Sequence, residues 1–259
     1  MAARSDDRAA IHEVDAFRWL CAADSESIQA LITDPPYSSG GMVRGDRMAR
    51  TDTKYTGREH QGRRADFTGD NRDQRGFLAW MTLWLSEAQR VLEPGAPIVL
   101  FTDWRQLPVM TDALQAGGFV WRGIAVWDKT EAARPQMDAF KSQCEYIVWG
   151  SNGPMPRDGR VGCLPGLFRH GVRQRDKHHQ TGKPLGLMRD VVKICRDGGS
   201  ILDPFAGSGT TGVAALMEGR KFIGCEVVPD YADIARSRLA QAAQETLGRG
   251  SGLLFGGSP

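Results

Sequence analysis

No Cys-x-x-Cys pair occurs in this 259-residue sequence, and its five cysteines, Cys21, Cys144, Cys163, Cys195 and Cys225, are odd in number and widely spaced. A disulfide framework and a zinc-thiolate site are therefore not signalled, and reduced, mostly buried thiols are expected. His178-His179 is a lone histidine pair; adjacent side chains point apart and no third ligand sits nearby, so no metal is expected. No apolar run approaches the roughly 18 to 20 residues that span a bilayer, and the polar start, Met1 to Arg8, lacks the pattern of a signal peptide, so a cytoplasmic protein is expected. There is no internal repeat and no Gly-Lys-Ser/Thr ending of a phosphate loop.

What is present is enough for one large α/β domain, with 41% hydrophobic and 25% charged residues. Net charge is +2 but unevenly spread: residues 38–75 carry nine Lys/Arg against six Asp/Glu, residues 151–183 seven against two, and the remainder is acidic. Two basic segments on an acidic body are what a local polyanion-binding face produces.

In chain order, an extended piece near Ile11 to Val14, a helical stretch Phe17 to Ala23 and a buried strand Ile28 to Thr33 give the rhythm of a βαβ unit. Phe77, Trp80, Met81, Trp84, Leu85, Ala88 and Leu92 recur at helical spacing, as core. Strand Pro97 to Thr102, helix Leu107 to Ala116, strands Phe119 to Trp127 and Glu145 to Trp149, a helix opened by Pro184, strand Ser200 to Asp203, strand Phe222 to Gly224 and a last helix through Tyr231 and Leu239 follow. Residues 38–75 and 151–182 lack apolar periodicity and read as a mobile basic loop and a second loop-rich region, and the Gly-rich tail 248–259 as disordered.

Two stretches carry chemistry. Thr33-Asp34-Pro35-Pro36-Tyr37 stands where an apolar run stops. Two adjacent prolines lack amide donors and fix φ near about −65°, so the chain leaves the sheet as a stiff bend holding a carboxylate, a free carbonyl and a flat ring at one wall. The second is Asp203-Pro204-Phe205-Ala206-Gly207-Ser208-Gly209-Thr210-Thr211, a strand passing through a Gly-x-Gly turn into a helix, with Glu226, 17 residues beyond Gly209, ending the next strand. Glycines let the backbone approach an adenosine-type ligand, and the acid accepts from ribose hydroxyls.

Together these motifs resemble the S-adenosylmethionine-dependent amino-DNA methyltransferases, in the permuted order of their β group: catalytic motif first, target recognition in the middle, cofactor glycines last. His179-Gln180-Thr181-Gly182-Lys183-Pro184 is similar to the family's His-Pro-Thr-Gln-Lys-Pro element, departing at Gln180 and Gly182, and Val126-Trp127-Asp128-Lys129 to its strand before the recognition region. Asp15 matches the acid of the family's N-terminal Gly-Asp, with Val14 in place of the glycine. The resemblance implies a single catalytic domain over 1–259. Its fold would be a Rossmann-like doubly wound mixed sheet of about seven strands with an antiparallel edge hairpin.

The same resemblance implies the roles. Asp34 and the Pro35 carbonyl would accept the two amino hydrogens of a flipped-out base, Pro36 would stiffen the bend and Tyr37 would stack on the base. Asp203, Phe205, Ala206, Gly207, Ser208, Gly209 and Thr210 would line the S-adenosylmethionine, Glu226 its ribose and Asp15 its adenine edge. Lys183 would meet the cofactor carboxylate or a phosphate, and Asp34 the cofactor amino group. Arg44, Arg47, Arg50, Lys54 and Arg58, with Arg169, Arg173, Arg175 and Lys177, would hold DNA phosphates and read base edges. A recognition region of about 30 residues implies a short or relaxed recognition sequence. Asp at position 34 is the usual adenine-N6 form, so DNA adenine-N6 methylation is the expectation. Cytosine-N4 methylation and a catalytically silent nucleic-acid-binding module are the alternatives; DNA is the expected partner, homodimers occur in the resembling group, and a cognate restriction enzyme is not visible in the sequence.

Overall fold

The computed structural model describes residues 8–37, 72–133, 135, 137–171 and 182–252. Within them run strands β1 (Ala9–Glu13), β2 (Ala30–Thr33), β3 (Pro97–Thr102), β4 (Val120–Asp128), β5 (Cys144–Ser151), β6 (Leu167–Arg169), β7 (Ser200–Asp203) and β8 (Lys221–Glu226). The helices are α1 (Ala16–Ala22), α2 (Gln74–Val91), α3 (Leu107–Ala116), α4 (Leu185–Val191), α5 (Thr210–Met217) and α6 (Pro229–Gly252). Local chemistry sets several ends: Asp15 caps α1 by accepting from the Arg18 amide at 3.1 Å, and Asp73 caps α2 through the Gly76 amide at 2.7 Å. Pro97 opens β3, a strand position where its missing donor is tolerated.

The eight strands form one sheet in the order β1-β8-β7-β2-β3-β5-β4-β6. Each neighbouring pair is parallel except those made by β5, which runs against both β3 and β4. Successive residues of the central strands serve opposite faces, as a pleat requires. Leu31, Ile98, Leu100, Val148 and Leu202 pack in one apolar layer with Leu20, Phe77, Trp84 and Met110 of α1, α2 and α3. Ile32, Val99, Phe101, Ile147 and Ile201 pack in the other with Leu187, Met188, Ala214 and Leu239 of α4, α5 and α6. Helices on both faces of a sheet buried on both sides are the doubly wound arrangement expected.

Four expectations need correction. The β4–β5 hairpin is present but is not the edge: β6 adds a further strand outside it, making eight strands rather than about seven. β6 lies in the segment read as structureless because three residues are too few for periodicity; it is held by buried Phe168, by the Trp127 indole donating to the His170 carbonyl at 2.8 Å, and by the His170 amide on Asp128. The last helix continues to Gly252, past the start of the expected disordered tail at Gly248. Finally, the thiols are not mostly buried: Cys195 and Cys225 are, whereas Cys21, Cys144 and Cys163 are exposed. Among the described residues no helix is long and apolar enough to cross a membrane.

Candidate active site

β2 and β7 are adjacent and parallel, yet the helix after β2 lies on one face of the sheet and the helix after β7 on the other. A reversal of this kind opens a crevice at the carboxyl ends of the two strands, the place where doubly wound sheets bind ligands. Both sequence motifs end there: Asp34 follows β2 and Asp203 closes β7. Six strands that run the same way each bring one carboxyl to this edge, Asp15 past β1, Glu226 on β8, Asp203 on β7, Asp34 past β2, Asp103 past β3 and Asp128 at the end of β4.

Asp34-Pro35-Pro36-Tyr37 leaves β2 without regular structure, as two prolines dictate. Its ring folds back so that the Tyr37 hydroxyl donates to Asp34 Oδ1. Lys183, immediately before α4 and only 8% exposed, donates to Asp34 Oδ2 at 2.6 Å and to the Tyr37 hydroxyl at 2.9 Å. The rings of Tyr37, Phe101 and Trp127 stand 5.2, 5.3 and 5.9 Å from its ammonium, within range for cation–π attraction. Glu145, at the head of β5, places Oε2 3.2 Å from Lys183 Nζ, and Lys129, just past β4, sits 2.8 Å from Oε1. Glu145 Oε2 is buried, and its partner is the Lys183 ammonium at 3.2 Å, an ion pair with imperfect hydrogen-bond alignment.

The electrostatics follow from burying two acids with two bases. Burial pushes the Asp34 carboxyl above its ordinary value and Glu145 adds to the rise, while Lys183 opposes both. Burial, then the Asp34 and Glu145 charges, raise the Tyr37 hydroxyl well above its usual range, so it is a neutral donor. Burial disfavours charge on Glu145 too, but Lys183 and Lys129 outweigh it and hold that carboxyl low. Lys183 is the converse: burial works against its charge, and Asp34 and Glu145 prevail and raise it.

On the β7 side, the Phe205 amide donates to Asp203 Oδ1 at 3.1 Å, the Ala206 amide to the Cys225 carbonyl at 2.9 Å and the Gly207 amide to Glu226 Oε2 at 2.9 Å. Gly209 starts α5 at φ 77°, and a Cβ there would lie 3.0 Å from the Ala235 Cβ, so glycine is needed for both backbone and space. Arg238 reaches from α6 beneath the turn and donates to the Ser208 carbonyl, and at 3.1 Å to each of the Ser208 and Thr210 hydroxyls. Burial lowers its pKa. Phe205 packs against Trp84 and Trp80, with centroids 5.3 and 5.5 Å away. Glu226 also accepts from the Val228 amide at 2.8 Å, and burial raises its carboxyl against these hydrogen bonds.

The sequence-predicted residues thus fall into two groups across one crevice. Asp34, Tyr37 and Lys183 are brought into mutual contact, and Gly207 is joined to Glu226. Asp15 stands beside Glu226 at the edge, since the Val14 amide donates to the Glu226 carbonyl. Asp203 is 2% exposed with both oxygens taken, by Thr33 Oγ1 and Thr211 Oγ1 at 2.6 Å each. Arg169 lies near, 2.8 Å from Glu131 and 3.5 Å from Asp128. Arg44, Arg47, Arg50, Lys54, Arg58, Arg173, Arg175 and Lys177 lie outside the described residues. Sequence reasoning missed Glu145 and Arg238 as parts of the site. The available signals were an acid at the head of a buried strand, Glu145-Tyr146-Ile147-Val148, and an arginine on the inner face of the last helix.

Residues 28–158 and 166–237 match the sequence pattern of the family described as DNA methylase, an N6/N4 amino-methyltransferase family. The type II methyltransferase M2.DpnII of Streptococcus pneumoniae is 28% identical over 257 residues, covering 90% of this chain and 89% of that one. Among solved structures, M1.HpyAVI in complex with SAM superposes with a TM-score of 0.63 at 22% identity, over 89% of this chain and 98% of that one. The cytosine-N4-specific PvuII DNA methyltransferase superposes with a TM-score of 0.67 at 16% identity, over 93% of each chain.

Proposed function

We propose that this chain, which belongs to the DNA methylase family, methylates the exocyclic amino group of adenine in DNA at N6, with S-adenosylmethionine as donor. The observation that carries this reading is the junction of Asp34, Tyr37 and Lys183 on one side of the crevice with the Gly207–Glu226 turn on the other. The residues present fit that cofactor: a turn of two positive-φ glycines offers close backbone approach, and Glu226 keeps lone pairs for ribose hydroxyls after accepting from two amides. S-adenosylmethionine supplies an electrophilic methyl group there. M1.HpyAVI, solved with SAM, shares the fold, and M2.DpnII suggests service in restriction–modification.

The chain's own residues then act on the base. An amino nitrogen conjugated to the ring is a poor nucleophile; the Asp34 carboxylate and Pro35 carbonyl accept its hydrogens and turn its lone pair towards the donor methyl. Tyr37 stacks on the base, and its hydroxyl keeps Asp34 in place. The amino nitrogen attacks directly, so no nucleophilic Cys or Ser is required. Asp34, raised by burial, is the acceptor for the proton the nitrogen then sheds. The motif order, Asp34-Pro35-Pro36-Tyr37 before the glycine turn, accords with the permuted β group.

Cytosine-N4 methylation is the second reading, favoured by the likeness to the PvuII enzyme. Incubation with labelled donor and unmethylated DNA, followed by nucleoside mass spectrometry, separates the two by N6-methyladenine or N4-methylcytosine. Asp34→Asn should lower the rate by at least about a hundredfold while leaving donor affinity within severalfold; full activity in that variant refutes the assignment.

A further inference from the structure

Glu145 takes no part in the mechanism above, yet it is the group that completes the charge balance of the catalytic crevice. Its Oε1 is held by Lys129 at 2.8 Å and its Oε2 faces Lys183 at 3.2 Å, and Lys183 is the residue that grips Asp34 and Tyr37. Position 145 lies at the start of β5, one strand removed from β2, with β3 between them, so the acid acts on Asp34 by its charge across the crevice and by contact through the lysine. Burying a carboxylate costs stability that its ion pairs with Lys183 and Lys129 offset only in part. A fold seeking stability alone would place an apolar residue here, beside Phe101 and Trp127.

We propose that Glu145 is a positioning residue of the methyl-transfer site: with Lys129 it fixes the Lys183 ammonium, and through that ammonium it sets the placement and the charge state of Asp34. The inference rests on the reading of Asp34 as the acceptor of the amino hydrogens. The groups facing Asp34 are Lys183 from the segment before α4, Tyr37 from its own bend, Glu145 from β5 and Asp203 from β7; Asp103, past β3, acts on Tyr37. Lys129 and Lys183 face Glu145. With Glu145 neutralised, the two lysines are balanced by Asp34 alone. Every resulting change favours the Asp34 carboxylate: one negative neighbour is gone, and Lys183 and Lys129 have lost a competing partner.

The test compares wild-type and Glu145→Gln proteins, the glutamine keeping shape while removing charge. Single-turnover methylation of unmethylated DNA is followed across pH, and the Asp34 carboxyl is titrated by 13C NMR in the same proteins without DNA, its resonance assigned from Asp34→Asn. The expected result is a plateau rate lower by roughly ten- to a hundredfold, from a displaced Lys183 and Asp34, with the acid limb and the Asp34 titration both moved to lower pH. A structural role alone would lower the rate and the melting temperature and leave both titrations where they were, and that result overturns the proposal. An unmoved Asp34 titration in an otherwise active enzyme removes the role of Glu145 only. A wild-type protein that methylates no DNA removes the reading of Asp34, and this role with it.

Discussion

Replacing Asp203 by Asn separates a structural role for this residue from the cofactor contact that the sequence suggests. The carboxyl is 2% exposed and ties β2 to the glycine turn through Thr33, Thr211 and the Phe205 amide. Burial lifts its pKa from the ordinary 3.8 to about 6, against the pull of those three hydrogen bonds. The folded protein therefore holds this proton more tightly than the unfolded chain. Its contribution to stability is fully present below about pH 4 and is lost as pH rises through about 6. At about 1.4 kcal/mol per pH unit, the buried carboxylate costs the native state on the order of 3 kcal/mol at neutral pH.

Asparagine is never charged, and it keeps one acceptor for Thr33 and the Phe205 amide, while the Thr211 hydroxyl turns to accept from the new amide. Any mismatch in those bonds is independent of pH. The stability of Asp203→Asn minus that of wild type should therefore be larger at pH 7.5 than at pH 4 by roughly 2 kcal/mol, read from urea denaturation across that range. Donor affinity measured by calorimetry at pH 7.5 should stay within about threefold, because both oxygens face threonines rather than the crevice. A stability difference that is flat with pH, or one that grows towards low pH, refutes the burial argument. Loss of binding by about a hundredfold or more would restore Asp203 to the cofactor.

Two further substitutions probe the turn. Gly209→Ala forces a side chain to φ 77° and against Ala235, and should destabilise the protein by about 1–3 kcal/mol in the same denaturation assay. Arg238→Ala removes the donor beneath Ser208 and Thr210 and leaves a buried carbonyl without a partner. It should weaken donor binding severalfold or more in calorimetry, a cost of about 1–3 kcal/mol, while a saturating donor concentration restores most of the rate.

The layout of the sheet was legible because its central strands are continuous apolar runs, of which Pro97 to Thr102 was recovered residue for residue. β6 was not, since its register depends on Trp127 and His170 rather than on any local period. For the site, rigid backbone features carried a sequence signal: two prolines after β2 and two glycines after β7. Long-range charge pairing carried none. Asp34 and Lys183 are 149 positions apart in the chain, and neither spacing nor composition reveals that they share a buried ion pair. Lys183 was reached by resemblance and assigned to the cofactor carboxylate or a phosphate, whereas the fold sets it against Asp34, Tyr37 and Glu145.

The carboxyls at the ends of β1, β8, β7, β2 and β3 are not equivalent, and the kind of partner each has singles one of them out. Asp15 and Asp103 accept from backbone amides that follow them, Arg18 for the first and Arg105 and Gln106 for the second. Glu226 accepts from the amides of Gly207 and Val228, and Asp203 from two threonine hydroxyls and an amide. All of these donors are fixed by the backbone or by short side chains. Of these five, Asp34 is the one that the described contacts tie to an ammonium, that of Lys183, which pairs with Glu145 as well. In the function proposed above, the neutral N–H of a base amino group is a weaker donor to the same carboxylate oxygens. On the role proposed for Asp34, the base N–H takes an acceptor position on this carboxylate while Lys183, held also by Glu145 and Tyr37, stays beside it and fixes its placement.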